Sequence, residues 1–155
     1  MTGFFIEYGY WGFFVASFLS ATILPFSSEA ILTALLVAGS SPMWCLLLGS
    51  VGNTLGGLTC YWIGSKGKTE WAEKYLGISA EKLEKIQYKI GRKGAPSAFF
   101  SFLPVVGDGI NVALGFLHAD IKRVTFYMFL GKFSRYFIWM ILNDFLIKTI
   151  KPALL

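Results

Sequence analysis

Hydrophobic residues run along this chain in long blocks, and short polar or proline-containing segments separate or interrupt those blocks. The first block covers residues 4–41 and is interrupted at residues 25–29, which read PFSSE. A helix needs about 20 residues to cross the hydrocarbon core of a bilayer, so two full crossings and a turn fit this block poorly. We therefore predict a re-entrant helical hairpin over 4–41. Its first arm would enter the membrane as far as Leu24, and its second arm would return by Gly39.

The second block, residues 43–65, contains no charged residue and predicts one complete transmembrane helix. Pro42 immediately precedes it and suits the first turn of a helix. This span contains five glycines that would let other helices approach it closely: Gly49, Gly52, Gly56, Gly57 and Gly64. Tight packing inside the protein is the favoured interpretation of these glycines. The glycine-rich segment 49–64 is also a candidate surface for a homo-oligomer.

Residues 66–93 form a polar segment in which hydrophobic residues recur at helical spacing in two short stretches, separated by Gly77. Eight of the 14 lysines and arginines lie here: Lys66, Lys68, Lys74, Lys82, Lys85, Lys89, Arg92 and Lys93. Because positive charge accumulates in cytoplasmic loops, this segment is predicted to be a cytoplasmic linker. Basic amphipathic helices next to spans commonly lie in the membrane interface.

The second half of the chain repeats the layout of the first. Residues 94–119 are hydrophobic except for an interruption at 104–108, PVVGD, and predict a second re-entrant hairpin. The basic pair Lys122 and Arg123 indicates a return to the cytoplasmic side. Residues 124–147 then predict a second span, which is unusual in containing charged residues.

A shift of 79 residues superimposes the two halves. It places Pro25 on Pro104, Glu29 on Asp108 and Gly52 on Gly131. A single crossing separates the halves, so they would be inverted in the membrane, with both termini outside. Inverted repeats with broken helices are typical of secondary transporters. The predicted fold is a single all-α integral membrane domain over 1–155, in which each inverted repeat is a re-entrant hairpin followed by one transmembrane helix.

Composition agrees with a membrane protein and excludes other classes. Hydrophobic residues make up 55% of the 155 residues and aromatic residues 17%, well above the balance of a soluble domain. The net charge of +5 is concentrated in the linker, so membrane topology accounts for it and nucleic-acid binding is not indicated. Cys45 and Cys60 match no metal or redox spacing, and no metal or other cofactor is predicted.

Charged residues inside the hydrophobic blocks are the candidate functional residues. Glu29 and Asp108 each follow a proline by four positions, and a carboxylate at membrane depth is costly unless it is paired or hydrated. Pro25, Pro104 and Gly107 are the predicted hairpin breaks. In the second span, Lys132 and Arg135 are three residues apart and share a helix face. These cations could bind a phosphate, or they could simply neutralise Glu29 and Asp108.

Several short motifs carry a resemblance to a known family. They are FLSATILP at 18–25 with Ser28-Glu29, GNTLGGLT at 52–59, PVVGD at 104–108, and Gly131-Lys132 through Arg135-Tyr136. Together they resemble the DedA family, also called the SNARE-associated or VTT domain, and its YqaA-like branch in particular. The resemblance implies a multi-pass protein of the bacterial inner membrane with two facing hairpins. It also implies transport of undecaprenyl phosphate, as in bacterial relatives, or phospholipid scrambling, as in eukaryotic ones.

The chain departs from the main family pattern at three positions. Where the family has an arginine three residues before and three residues after the second hairpin's proline, this chain has Ser101 and Gly107. Where the family has an acidic residue after the span glycine, this chain has Asn53. Phosphate recognition by those arginines is therefore not carried over. Lys132 and Arg135 are the candidate substitutes, with Asn53 retained as a binding candidate.

The sequence thus favours a membrane transporter or flippase that moves an anionic lipid headgroup between leaflets. The alternatives are a proton-coupled small-solute transporter, in which Glu29 and Asp108 titrate, and a non-catalytic membrane scaffold. An enzyme is not predicted, because no Ser–His pairing, metal-ligand spacing or glycine-rich phosphate loop is found. Membrane lipid is the expected partner, with protons as the coupling ion in the second case.

Overall fold

The structure is a computed structural model that describes residues 2–21, 28–67, 79–103 and 106–153. The regular elements in these ranges are all helical, which confirms the all-α prediction. The α-helices are α1 (Thr2–Ser20), α2 (Ser28–Val37), α3 (Pro42–Ser65), α4 (Ala80–Lys93), α5 (Val106–Phe116) and α6 (Ile121–Ile150). A 3₁₀ helix, Ala95–Phe102, precedes α5 and is called the 3₁₀ arm below, and a second 3₁₀ turn, Lys151–Ala153, follows α6.

Helices α1 and α3 run in the same direction and touch through glycines. A Cβ added at Gly52 would lie 2.6 Å from the carbonyl oxygen of Phe14, and one at Gly56 would collide with the carbonyl of Phe18. Such backbone approach is possible only where one partner has no side chain. The first half of the glycine-rich segment is therefore covered by α1 within the same chain.

The second half of α3 packs against α5 in the same way. Gly57 faces Asn111, and Gly64 lies against the backbone of Val112. Gly115 of α5 lies against the carbonyl of Tyr61, so the two helices are in contact over several turns and also run in the same direction. In the single chain, α1 and α5 cover the glycines of residues 49–64. The homo-oligomer expected through this segment stays a prediction.

The 3₁₀ arm and α2 pack against α6 at successive positions along its length. Gly131 lies against the carbonyl of Phe99, which places the 3₁₀ arm beside the first half of α6. Farther along, the indole of Trp139 donates to Thr33 Oγ1 of α2 at 3.0 Å. The 3₁₀ arm and α2, which belong to the two predicted hairpins, therefore contact α6 one after the other.

Two hydrophobic clusters pack around these contacts. One joins α3, the 3₁₀ arm, α5 and the start of α6, with Tyr61, Leu114 and Met128 among its buried members. The other joins α1, α2, the start of α3 and the middle of α6 through Phe13, Leu32, Cys45, Leu46 and Tyr136. Many large hydrophobic side chains remain exposed on the outer faces, as suits a surface in contact with lipid: Trp44, Trp62, Phe126, Ile138 and Phe145 are examples.

The corners after α2 and α5 have the same local geometry. Each helix ends in a Schellman motif with a left-handed residue, Gly39 at φ 90° and His118 at φ 52°. Ser41 and Asp120 then occupy the N-cap positions of α3 and α6, and the Asp120 carboxylate accepts a hydrogen bond from Lys122 N at 3.0 Å. Both pairs of equivalent positions are 79 residues apart.

Helix α3, which contains the predicted span 43–65, is the helix in the described ranges that is apolar and long enough to cross a bilayer. Helix α6 contains the predicted span 124–147 and is long enough to cross a bilayer, but its charged residues make it less hydrophobic than α3. Helix α4 of the linker is joined to the end of α5, because Gln87 Nε2 donates to Phe116 O at 3.0 Å. The breaks at Pro25 and Pro104 and the linker residues 68–78 lie outside the described residues.

Candidate charged site at the centre of the long helix

The charged candidates converge on one turn of α6. Lys132 and Arg135 are the twelfth and fifteenth of its 30 residues. At about 1.5 Å per residue, Arg135 lies roughly 20 Å from either end of the helix, and Lys132 lies roughly 5 Å nearer its start. If α6 crosses the bilayer, these cations are near its midplane, where an unpaired charge is costly.

Arg135 is paired with Glu29. Their side chains form an ion pair between α6 and the first turn of α2, and both are largely buried, with 20% and 16% of the side chain exposed. Arg135 Nη1 also donates to Phe102 O at 3.5 Å, and the guanidinium lies 5.8 Å from the ring of Tyr136. One arginine therefore contacts residues from both hairpin regions. Its planar set of donors suits such shared contacts.

Lys132 is paired with Asp108, but more loosely. Lys132 Nζ lies 3.9 Å from Asp108 Oδ1, beyond hydrogen-bonding distance. The lysine side chain is 2% exposed, whereas that of Asp108 is 25% exposed. The ammonium is thus almost completely removed from solvent, with a carboxylate near it that retains access to solvent.

Gly107 lets Asp108 reach this position. It lies in the first turn of α5, and a Cβ there would collide with the backbone of Ser101 in the 3₁₀ arm. The 3₁₀ arm and α5 therefore meet backbone to backbone beside the carboxylate. The sequence predicts Gly107 as a hairpin break, but in the structure it belongs to the first turn of α5. Its role there is this close approach to Ser101.

A hydrogen bond next to the first ion pair was not anticipated from the sequence. The hydroxyls of Ser28 and Tyr136 are 2.8 Å apart, and both residues are completely buried. The ring of Phe13 packs edge-on against that of Tyr136, with centroids 5.9 Å apart. Because Ser28 precedes Glu29 and Tyr136 follows Arg135, α2 and α6 are joined by two adjacent polar contacts. The sequence did contain a signal for this hydrogen bond, because Ser28 and Tyr136 both belong to the family motifs and are adjacent to charged residues.

Asn53 makes its described hydrogen bonds to α1 and not to the ion pairs. Its Nδ2 donates to Ser17 O at 3.0 Å and to Ser20 Oγ at 2.9 Å, so its described hydrogen bonds go to the end of α1. The structure brings together four of the five predicted binding residues as two pairs. It uses the fifth to hold α1 against α3.

Several polar atoms are buried without a hydrogen-bond partner in the part of the chain that the structure describes. They are Ser17 Oγ, Ser40 Oγ, Ser50 Oγ, Asn53 Oδ1, Ser101 Oγ, and both Oδ1 and Nδ2 of Asn111. Buried polar groups normally have partners, and ordered water or a ligand supplies those that protein does not. As for metals, no three His, Cys, Asp or Glu side chains converge within the ranges that the structure describes.

Comparison with known proteins places this site in a family. The VTT domain matches residues 24–145, a segment that contains all four charged residues of the two pairs. The chain is 38% identical to inner membrane protein YqaA of Escherichia coli over 128 residues, which cover 79% of this chain and 82% of that protein. It is 37% identical to an uncharacterized protein of Haemophilus influenzae over 131 residues, which cover 79% and 80% of the two chains.

A more distant relative is the uncharacterized membrane protein YkoX of Bacillus subtilis. It is 31% identical over 102 residues, covering 63% of this chain and 46% of that protein. No solved structure matches the chain. The domain match and the extent of the identity lead to one conclusion: the chain belongs to the VTT-domain (DedA) family, is YqaA-like, and is an integral protein of the bacterial inner membrane.

Proposed function

We propose that this protein moves an anionic lipid headgroup, of the undecaprenyl phosphate or phospholipid class, between the two leaflets. The observation that carries the proposal is the meeting of two cations and two carboxylates on one turn at mid-length of α6. The carboxylates neutralise the cations in the resting protein, so no net charge is left buried. A phosphate of similar geometry could replace a carboxylate without leaving a bare cation.

Arg135 is the proposed headgroup anchor. Its guanidinium binds Glu29 at rest, and the same donors suit two phosphate oxygens. In the proposed exchange the phosphate takes the place of Glu29, which stays in the partly exposed first turn of α2. Lys132 is the second positive charge, one turn away, and the loose contact with Asp108 leaves its ammonium available.

We further propose that the two halves are inverted repeats with facing re-entrant hairpins. The matching corners, 79 residues apart, support this. So does the crosswise packing, in which α2 runs beside the second span and α5 beside the first. In such a fold one repeat can rock against the other and open the central site to each side in turn. The headgroup would cross inside the protein while its hydrocarbon chains stay in the bilayer.

The main competitor is a proton-coupled transporter of a small solute. The observation that favours it is Asp108, a carboxylate that is a quarter exposed and 3.9 Å from its cation, which suits a group that takes up and releases protons. A membrane scaffold, in which both pairs are only structural, is the third possibility.

Purified protein in liposomes separates these functions. One sample carries a fluorescent anionic phospholipid in the outer leaflet, and a second encloses a pH-sensitive dye. Lipid transport predicts redistribution of the labelled lipid between leaflets in the first sample. A proton-coupled solute transporter predicts a dye response without lipid redistribution, and a scaffold predicts neither.

A further inference from the structure

Asn111 is a buried amide with no assigned role. Its side chain on α5 is 0% exposed, and neither Oδ1 nor Nδ2 has a hydrogen-bond partner in the described protein. An unsatisfied amide is costly in an apolar interior, and a leucine of similar size would avoid that cost. The Asn111 amide therefore destabilises the fold unless a water molecule or a ligand completes its hydrogen bonds.

The surroundings of Asn111 connect it to the charged site. It lies three residues after Asp108 and so shares a helix face with that carboxylate. A Cβ on Gly57 would lie 3.0 Å from Asn111 Nδ2 and 2.5 Å from Met128 Sδ. Met128 is one turn before Lys132 on α6. The amide therefore lies among three helices, one turn from the Asp108–Lys132 pair, and the missing side chain of Gly57 lets α3 approach it closely.

A second unpartnered group lies on the neighbouring arm. Ser101 Oγ is buried, with the residue 1% exposed, and it has no hydrogen-bond partner among the residues that the structure describes. The backbone of Ser101 packs against Gly107, the residue before Asp108. The vicinity of the pair thus offers a free amide and a free hydroxyl on two different elements.

The chemistry of these groups indicates what they bind. An anion needs only donors, whereas an amide with both ends free matches a group that donates and accepts. An alcohol hydroxyl, C–OH, is such a group. We propose that Asn111 is a specificity-determining residue that hydrogen-bonds a headgroup hydroxyl beside the Asp108–Lys132 pair. This inference rests on the proposed transport of lipid headgroups.

The test compares two lipids of equal charge that differ in hydroxyls. Liposomes carry labelled phosphatidylglycerol or labelled phosphatidylpropanol, whose headgroup has no free hydroxyl. Wild-type protein should move phosphatidylglycerol faster, and Asn111→Leu should reduce that preference by a few-fold to about tenfold, the range expected for one hydrogen bond. Asn143→Leu is the matched control, because Asn143 is also a buried amide but its Nδ2 donates to Trp139 O at 2.8 Å. The control should keep the preference.

A binding measurement keeps this inference separate from the transport proposal. In detergent, short-chain phosphatidylglycerol should raise the melting temperature of wild type more than short-chain phosphatidylpropanol does. Asn111→Leu should melt no lower than wild type without lipid and should respond equally to both lipids. Asn111→Ala serves as a second variant if the leucine does not fit.

The outcomes are distinct. If wild type moves neither lipid but phosphatidylglycerol selectively stabilises it and not the variant, the transport proposal fails and the hydroxyl site stands. If wild type moves both lipids equally, transport stands and the hydroxyl site is overturned. A preference that survives in both Asn111 variants also overturns it, since the amide then holds only water.

Discussion

The two cations of α6 are held in different ways, and this difference determines what substitutions should do. Arg135 contacts a carboxylate, a backbone carbonyl and an aromatic ring, whereas the described partner of Lys132 is one carboxylate at 3.9 Å. Removing a partner from a buried charge usually costs more than removing the whole pair. Conservative substitutions that keep size are therefore the informative ones.

Arg135→Lys should impair transport although it keeps the positive charge. A lysine offers a point charge and loses the planar set of donors that contacts Glu29 and Phe102 O together. We expect at least a tenfold lower rate of lipid redistribution in liposomes, with the protein still folded. Lys148→Gln is the control, because Lys148 forms an exposed pair with Asp144 on the same helix. A normal rate for Arg135→Lys would show that charge alone suffices there.

Glu29→Gln and Asp108→Asn should each abolish transport while the protein accumulates in the membrane. Each change removes one negative charge and nearly preserves shape, so the packing of α2 and α5 should survive. Rates in liposomes, together with membrane levels from quantitative immunoblots, provide the measurement. Full activity in both variants would remove the carboxylates from the mechanism, and failure of both to accumulate would favour a purely structural pair.

At this residue scale, the sequence predicted which charged residues lie inside the protein but not which of them pair with each other. Glu29, Asp108, Lys132 and Arg135 were identifiable because charge is rare in hydrophobic blocks. Their pairing depends on how each arm packs along α6, which periodicity does not encode. Asn53, the repeat equivalent of Lys132, turned instead toward α1. Asn111 was missed because an uncharged amide gives no comparable signal.

Helix contact through glycines is the feature that decides packing at the scale of elements. On α5, Gly115 lies against the Tyr61 carbonyl of α3, whereas Gly109 has open space where its Cβ would be. An added methyl group at Gly115 must push the backbones of α3 and α5 apart. At Gly109 an added methyl group has open space, and replacing glycine there removes its unfavourable helix propensity.

Gly115→Ala should therefore destabilise the protein strongly, while Gly109→Ala should be neutral or stabilising by up to about 1 kcal/mol. For Gly115→Ala we expect a loss of about 2 kcal/mol or more, in the range of overpacked cores. Thermal unfolding in one detergent, with both variants purified in parallel, measures the difference. Equal stabilities would mean that α3 and α5 are not in the close contact described.

The elements themselves were predictable to different degrees. The corner at Ser41-Pro42 was readable because proline and serine punctuate the chain, and α3 begins at Pro42. The corresponding corner at His118 was not, since histidine is not a usual marker of a left-handed residue. The segment predicted as the first arm of the second hairpin is a 3₁₀ helix over Ala95–Phe102 and not an α-helix. Hydrophobic spacing does not distinguish the two in so short a segment.

For the whole molecule, topology follows from the charge of the linker. Residues 66–93 should be cytoplasmic and both termini outside. Single cysteines at Ser79 and Leu155, introduced into a variant without Cys45 and Cys60, can be probed with a membrane-impermeant thiol reagent in intact and permeabilised cells. We expect labelling of the Leu155 position from outside and of the Ser79 position only after permeabilisation. Labelling of both from the same side would contradict an architecture of two spans and two hairpins.

The central claim is that the charged turn of α6 binds a headgroup as it passes between leaflets. Its most direct test is the initial rate at which a fluorescent anionic phospholipid redistributes in liposomes that contain wild-type protein, Arg135→Gln, or the Lys148→Gln control. The account predicts redistribution by wild type and by the control, and a rate for Arg135→Gln no higher than that of protein-free liposomes. Redistribution by Arg135→Gln at the wild-type rate would contradict it.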